Sequence, residues 1–401
     1  MRCLIIGGGI GGSTLAHSLC RFGYDVEVFE AYPRVDEEVG YFLNLASNGI
    51  HGLRQMELWR PEILDPHRMP TMVFRSGRGK RLGEVANGII DDDGTTSVTV
   101  KRNRLHWMLV DAAEEAGALF HYDKRATSVE ENHHGVTVTF EDGSTARGDL
   151  AIGADGVHSA VRKFIDPDAP APSYTGILSV AGYVAESSFS PTPDEMQMLF
   201  GRRAFFGHLV RDDGEVYWFA NIAVAEERHA EFGKFDKGQW QDHLRELFEP
   251  DDPVVVEMIA ATTSEIGAFP IYDLRSTPQW HRGRLALLGD AAHATSPNAG
   301  QGASLAIEDA MSLARCLRDL SNYEVAFDAY EGLRRKRAEK VVAYSRKLGT
   351  KKAIPSMAAW FRDLFMPLAL KLFANSSPHD WIYSYRPVWE EKITENAIAR
   401  G

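Results

Sequence analysis

Met1-Arg2-Cys3-Leu4-Ile5-Ile6-Gly7-Gly8-Gly9-Ile10-Gly11-Gly12, continued by Ser13 to Glu30, is the stretch whose reading decides the fold. Arg2 to Ile6 is a short apolar run of the kind that forms a buried parallel strand. Ser13 to Phe22 carries apolar residues at helical spacing, and Asp25 to Phe29 reads as a second strand that ends at Glu30. Gly7, Gly9 and Gly12 fit G-x-G-x-x-G in the strand–turn–helix setting that gives the pattern its meaning. The first glycine permits a tight turn, the second lets a pyrophosphate touch the backbone, and the third lets helix and strand pack closely. The helix start offers free N–H groups and a positive dipole end to phosphates. Glu30 closes the second strand, where a carboxylate accepts hydrogen bonds from a ribose with a free 2′-OH. A glycine-rich turn alone is often only a tight connection. The acid at the right distance makes this one a dinucleotide site, and the motif leaves NAD, NADP and FAD open.

Composition narrows the class. The chain has 401 residues, enough for two domains each with its own core. Its 44% apolar and 25% charged content is that of a globular protein. A formal net charge of −12 argues against nucleic acid as a partner and disfavours steering of strongly anionic substrates. Cys3, Cys20 and Cys316 are too few and too scattered for a disulfide framework. The adjacent His133 and His134 sit in a polar hairpin tip, where histidines are merely exposed, so no metal site is expected. No signal peptide precedes the first strand and no apolar run reaches roughly 18 residues, so the expectation is a cytoplasmic protein without a transmembrane segment.

Further along, residues 71–87 read as a hairpin around Gly77-Arg78-Gly79, and 101–116 as a helix opened by Lys101-Arg102. Between Leu119 and Leu150, three or four short alternating strands form a small antiparallel meander, with turns at Asn132-His133-His134-Gly135 and Glu141-Asp142-Gly143. Leu150 to Gly153 is an apolar strand running into Asp155-Gly156. After the linker Pro167 to Pro172 the pattern becomes strand-rich as far as Leu274, with one helix at 239–248. Parallel-strand texture returns at Trp280 to Gly289, followed by a glycine loop, an amphipathic helix from Ala303 and a long charged helix at 323–347. In that helix Arg334, Arg335, Lys336 and Arg337 read as a mainly solvated face with one or two residues pairing inward. The apolar segment within 354–389 reads as packing on the core.

These elements predict an α/β fold: a Rossmann-like dinucleotide-binding domain with an inserted β-meander, which the resemblance drawn below makes an FAD-binding domain, plus a second α+β domain with a mostly antiparallel sheet. The expected division is 1–70, 98–168 and 276–350 for the first domain, 71–97 and 169–275 for the substrate-binding domain, and 351–401 for a C-terminal helical segment.

Three glycine motifs stand in order: Gly7 to Gly12, Asp155-Gly156, and Gly289-Asp290 with Pro297-x-x-Gly300-Gln301-Gly302. Together they resemble the single-component FAD-dependent aromatic monooxygenases of the para-hydroxybenzoate hydroxylase class, over about residues 1–350. The likeness is strongest to salicylate and urate hydroxylases and to tetracycline-inactivating enzymes. The resemblance implies that the first fingerprint, with Ile10, Gly11, Glu30 and Ala31, clamps the adenosine half of FAD. Arg102 would approach the FAD phosphates, where a bidentate guanidinium suits better than lysine. Asp155-Gly156 would contact FAD and a transient nicotinamide cofactor. Asp290, beside Gly289, would accept from the ribityl hydroxyls. Pro297, Gly300, Gln301, Gly302 and Ala303 would form the loop and helix start beside the flavin ring.

The activity implied is hydroxylation of an aromatic or polycyclic small molecule by O2 through a flavin C4a-hydroperoxide, with NADPH or NADH as transient reductant. Arg203, His208, Tyr217 and Asn221 are candidate substrate-facing residues, and the resemblance to urate hydroxylases implies catalytic roles for Tyr217 and Arg203. Alkene epoxidation or oxidative ring cleavage shares this apparatus and stays open. A halogenase would carry W-x-W-x-I-P, which the sequence lacks. A non-enzymatic flavin-binding regulator is disfavoured by the presence of Asp290 and Gln301. Monomer and homodimer are both compatible with the sequence.

Overall fold

A six-stranded sheet runs in the order His281–Arg282, Leu285–Leu287, Leu150–Gly153, Arg2–Ile6, Asp25–Phe29, Leu119–His121. All neighbours are parallel except the edge strand His281–Arg282. The central strands are near-continuous apolar runs because both of their faces are covered, and Cys3, Leu4, Ile5, Ala151 and Ile152 are fully buried. These observations come from a computed structural model, which describes residues 1–34, 42–349, 362–368, 370 and 380–394. The helix Ile10–Arg21 lies between Arg102–Glu115 and Gly302–Asp319.

One sequence expectation is corrected here. The meander consists of Ala126–Asn132, Gly135–Phe140 and Thr145–Gly148 only. Leu119–His121 instead pairs in parallel with Asp25–Phe29 at the edge of the large sheet. Three alternating residues carry too little pattern to tell a parallel edge strand from an antiparallel one.

A second sheet has seven strands in the order Gly267–Asp273, Ser173–Val184, Val216–Ala223, Phe205–Val210, Glu195–Phe200, Thr71–Ser76, Arg81–Ala86. Only Glu195–Phe200 with Thr71–Ser76 is a parallel pair. One face is covered by the helices Lys237–Phe248 and Pro253–Ala260, which with the strands enclose Phe206, Trp218, Trp240 and Phe248. The first helix starts at a capping box between Asp236 and Gln239 and buries Trp240, Leu244 and Phe248 at four-residue spacing. The second helix was not expected from sequence. Asp252 caps it and Pro253 opens it, a start signal that was legible.

The opposite face buries Tyr183, Met196, Leu209 and Tyr217 with Met69, and Phe42 packs on them from the strand Phe42–Leu45. That strand pairs with Val98–Lys101 in a three-stranded sheet completed by His67–Arg68. The chain ends its described course as a strap over 380–394. Most of the apolar C-terminal segment lies outside the described residues.

Candidate functional site

Four parallel strands stop at one level. Leu287, Gly153, Ile6 and Phe29 form a continuous row of partners across the sheet. Directly beyond this row lie the third motif, the second motif, the first motif and Glu30. Ligands of open α/β sheets bind outside the carboxyl ends of the strands, and the topology delivers all three glycine motifs to that edge.

The first turn leaves no latitude. Gly7 has φ +106, and a Cβ there would lie 2.3 Å from the Ala154 carbonyl oxygen. A Cβ on Gly12 would lie 2.0 Å from the Gly7 carbonyl oxygen. Gly9 differs: a Cβ there would meet nothing within 4 Å. Gly9 therefore faces open space at the start of the helix Ile10–Arg21, which has no side-chain cap and no acidic residue in its first turn. Free N–H groups thus border a space that a side chain would fill, the arrangement that takes a phosphate group. The loop is braced by the Ser13 hydroxyl, which donates to the Gly8 carbonyl at 2.8 Å, and by His106 Nε2 at 2.9 Å from the same oxygen. Glu30 accepts from the Gly8 N–H at 2.8 Å and the Tyr32 N–H at 3.1 Å. Its carboxylate is thereby fixed at the end of its strand.

Arg102 opens the helix Arg102–Glu115, is exposed, and has no hydrogen-bond or ion-pair partner among the described residues. Its charge acts on Asp290, which ties the first motif's side of the cleft to the third.

Asp155 turns inward. Its Oδ2 accepts from the Ala160 and Val161 N–H groups at 2.7 and 3.1 Å, and burial raises its carboxyl. What this motif can offer outward is the turn at Gly156, with φ +76 and open space at its Cβ position. Behind it, buried Arg162 donates to the carbonyls of Val157 and Ala291 at 2.8 Å each, joining the second motif to the third.

In the third motif Gly289 takes φ 62, ψ −134, a conformation for which glycine is suited, and so places Asp290 at the head of a four-residue helix. The Asp290 side chain is open to solvent yet crowded by protein. That crowding raises its carboxyl, against the opposing charges of His293 and Arg102. No described residue donates a hydrogen bond to it. An accepting carboxylate left free in a recess suits a polyhydroxylated chain.

Pro297–Ala299 forms a single 3-10 turn and Gly300 takes the left-handed conformation, with φ 60. The helix Gly302–Asp319 then starts without a side-chain cap. Asn44 approaches from the facing strand and donates to the Gly300 carbonyl at 3.4 Å. Gln301 is buried, and its Oε1 accepts from Asn48 at 3.0 Å. His293 points away from the cleft: its Nε2 lies 2.5 Å from Asp309 Oδ2 and its ring packs on Trp280. Burial opposes its charge, but the Asp309 carboxylate outweighs burial and holds the imidazole above its ordinary range. Sequence reasoning missed Asn44, Asn48 and Asp309. Isolated polar residues have no periodicity to mark them.

Strand alternation sends Tyr217, Phe219 and Asn221 to the sheet face that looks toward this cleft. Phe205, Gly207 and Leu209 join them from the neighbouring strand, with Phe205 paired to Asn221 and Leu209 to Tyr217. Tyr217 is fully buried under Phe42, ring centroids 5.5 Å apart, and packs edge-on to Tyr183. Burial and the nearby Glu215 carboxylate push its phenol up, so it is a hydrogen-bond donor rather than a base. Phe219 and Asn221 are only partly buried and form the more open part of the face. His208 lies on the opposite, helix-covered face beside Phe206.

Arg203 does not join Tyr217. Its parity matches the cleft face, but the strand begins only at Phe205, and the exposed guanidinium donates to the Glu246 carbonyl at 3.1 Å. It thus caps the last turn of the helix Lys237–Phe248, at the strand end remote from Tyr217. Among the described residues no group of three His, Cys, Asp or Glu side chains could hold a metal, and no helix is long and apolar enough to cross a membrane.

Comparison with known proteins matches this geometry. The FAD binding domain family matches residues 1–345. The chain is 30% identical over 358 residues to 6-hydroxynicotinate 3-monooxygenase of Pseudomonas fluorescens, covering 85% of this chain and 89% of that one. It is 30% identical over 379 residues to FAD-dependent urate hydroxylase of Klebsiella pneumoniae, covering 91% and 94%. The crystal structure of Klebsiella pneumoniae HpxO complexed with FAD and uric acid superposes with a TM-score of 0.80 at 27% identity, covering 92% of this chain and 93% of that one. The chain belongs to the family of single-component FAD-dependent aromatic monooxygenases.

Proposed function

We propose that this protein is an FAD- and NAD(P)H-dependent monooxygenase that hydroxylates a planar aromatic or heteroaromatic small molecule. The observation that carries the reading is the row Leu287–Gly153–Ile6–Phe29, which lines up three motifs and Glu30 along one ligand edge. The cleft fits the cofactor: an open space at Gly9, an Arg102 guanidinium and an Asp290 carboxylate without partners among the described residues, and an uncapped helix start at Gly302.

The Gly7–Gly12 backbone and Arg102 would hold the pyrophosphate, Glu30 and Ala31 the adenosine ribose, and Asp290 the ribityl chain. Pro297 and Gly300 to Ala303 would border the flavin ring, where the positive end of an 18-residue helix favours negative charge on the reduced ring. FAD supplies two-electron acceptance from the nicotinamide and oxygen activation for transfer of one atom to the substrate. One dinucleotide fingerprint is present and the FAD reading uses it, so the reductant visits and leaves. The chain's own part is to orient the substrate and exclude water. Phe42 and Phe219 offer ring faces and Asn221 an amide at the open end, while Tyr217, buried beneath Phe42 with its phenol engaged by Glu215, backs the closed end. Hydroxynicotinate and urate, named for two of the relatives, are nitrogen heterocycles of the class such a wall suits.

Purified protein is expected to carry or take up one FAD, and the right aromatic to accelerate NADH or NADPH oxidation with oxygen from 18O2 entering the product. Absence of flavin binding would refute the reading. Asp290→Ala removes the ribityl acceptor and is expected to weaken FAD binding by roughly 10- to 100-fold, the worth of one charge-assisted hydrogen-bond set. Fluorescence titration of the apoprotein measures it.

A further inference from the structure

Two consecutive acids on the helix Gly302–Asp319 lie fully buried, and neither faces the cleft. Neighbouring helical residues diverge by about 100° around the axis, so the two carboxylates reach different segments. Asp309 Oδ2 accepts from the Gly289 N–H at 3.1 Å and meets His293 at 2.5 Å. It thus holds both ends of the turn that presents Asp290. Glu308 Oε1 accepts from Asn48 Nδ2 at 2.7 Å, and the same amide donates to Gln301 Oε1 at 3.0 Å. Glu308 thus holds the loop that precedes the helix start.

One guanidinium joins the two acids. Arg334, fully buried on the helix Tyr323–Gly349, donates Nε to Asp309 at 2.7 Å and Nη2 to Glu308 at 2.6 Å. Arg337, on the next turn, donates to both Glu308 oxygens at 2.9 and 2.8 Å and to the carbonyls of Trp381 and Ile382 at 3.0 and 2.7 Å. Both guanidinium groups lie over the Tyr385 ring, at 5.0 and 4.6 Å. The strap thereby seals the cluster.

Buried ion pairs of this kind cost desolvation that their attraction roughly offsets, and well-packed apolar residues would stabilise the fold as well or better. Stability does not account for them. Placement does, because a rigid polar cluster tolerates one geometry where an apolar core tolerates several.

We propose that Asp309, Arg334 and Glu308 form a positioning hub that sets the two flavin-side walls of the cleft, Gly289–Asp290 and Gly300–Gln301, at a fixed distance from each other. The hub acts through Gly289 and Asn48 and touches no cofactor atom itself. The proposal rests on the FAD reading above and adds to it residues that the motifs do not contain.

The test compares wild-type holoprotein with Glu308→Gln and Asn48→Ala, measuring FAD dissociation constant, the visible absorption and circular dichroism of bound flavin, and thermal midpoint. Asn48→Ala leaves both acids paired to arginine, so it guards against a Glu308 variant that fails to fold. Both variants are expected to raise the FAD dissociation constant by tenfold or more and to alter the bound-flavin spectrum. The double variant should be no worse than Glu308→Gln, because both cut one chain of contacts. Lower thermal midpoints with wild-type FAD affinity and flavin spectra would overturn the hub and leave the FAD reading standing. Wild-type protein that binds no FAD would overturn both.

Discussion

The proposed cofactor cleft and the sheet face opposite it are built by different means. The cleft is made of backbone: its glycines take turns that other residues resist, its helix starts are left uncapped, and its polar side chains are locked from behind by buried charge. The facing wall is made of side chains on regular strands, where any residue fits the backbone and only alternation and register decide what looks inward. A grip made by backbone persists through side-chain substitution. A ligand gripped by side chains can change with each substitution.

The sharpest way to break that distinction is within one motif. Gly7→Ala would force φ +106 on a residue that resists it and drive Cβ into the Ala154 carbonyl at 2.3 Å. It is expected to destabilise the fold by more than about 3 kcal/mol and to abolish FAD binding. Gly9→Ala, at φ −69 with open space at its Cβ, is expected to leave apoprotein stability within about 0.5 kcal/mol and still exclude the pyrophosphate. Urea denaturation of the apoproteins beside FAD titration separates the two. Equal destabilisation by both would mean that Gly9 does not face the cofactor.

The same contrast decides what the sequence could reveal. Gly7 to Glu30, Asp155-Gly156 and Gly289 to Gly302 were legible because backbone demands restrict residue type at fixed spacing. Glu308, Asp309 and Asn48 were not, since a charged residue in a helix reads as solvated until its partner helix is known. Arg334 and Arg337 show the limit: a basic run could be assigned to the right helix, but not which two members turn inward. Arg203 shows the other limit. Resemblance put it on the wall, whereas the strand begins only at Phe205 and the Arg203 guanidinium turns outward to the Glu246 carbonyl. Asp155 was found by its motif, yet its carboxylate serves the helix behind it.

The wall's own stability has a different origin from the cleft's, and pH exposes it. His208 is buried on the helix-covered face among aromatic rings, and burial, with Arg75 nearby, lowers its imidazole to about 4. The unfolded chain binds a proton near pH 6.5 and the folded chain does not, so stability is complete above that value and falls as pH drops toward 4. Between pH 7 and pH 5 this group alone is expected to remove about 2 kcal/mol. His208→Gln should flatten that part of the urea-measured stability profile. An unchanged slope would place the imidazole in contact with solvent.

The finest test reshapes the wall and leaves the cleft alone. Gly207 lies on the cleft-facing side of its strand, paired with Phe219, and a Cβ there would lie 2.1 Å from the Phe219 ring. The obstacle is the far part of a side chain, so the ring can move, and the partly open face is where it has room to go. Gly207→Ala is therefore expected to push Phe219 into the proposed substrate space. Overpacking of this size costs about 1–3 kcal/mol where the ring cannot yield and less where it can. The expected result is a drop of about tenfold in kcat/KM, roughly 1.4 kcal/mol, with the FAD dissociation constant unchanged. Phe219→Leu in the same background should restore part of the loss, because the shorter side chain clears the new methyl group. A Gly207→Ala protein that loses FAD but keeps its substrate preference would show that this wall belongs to the cofactor.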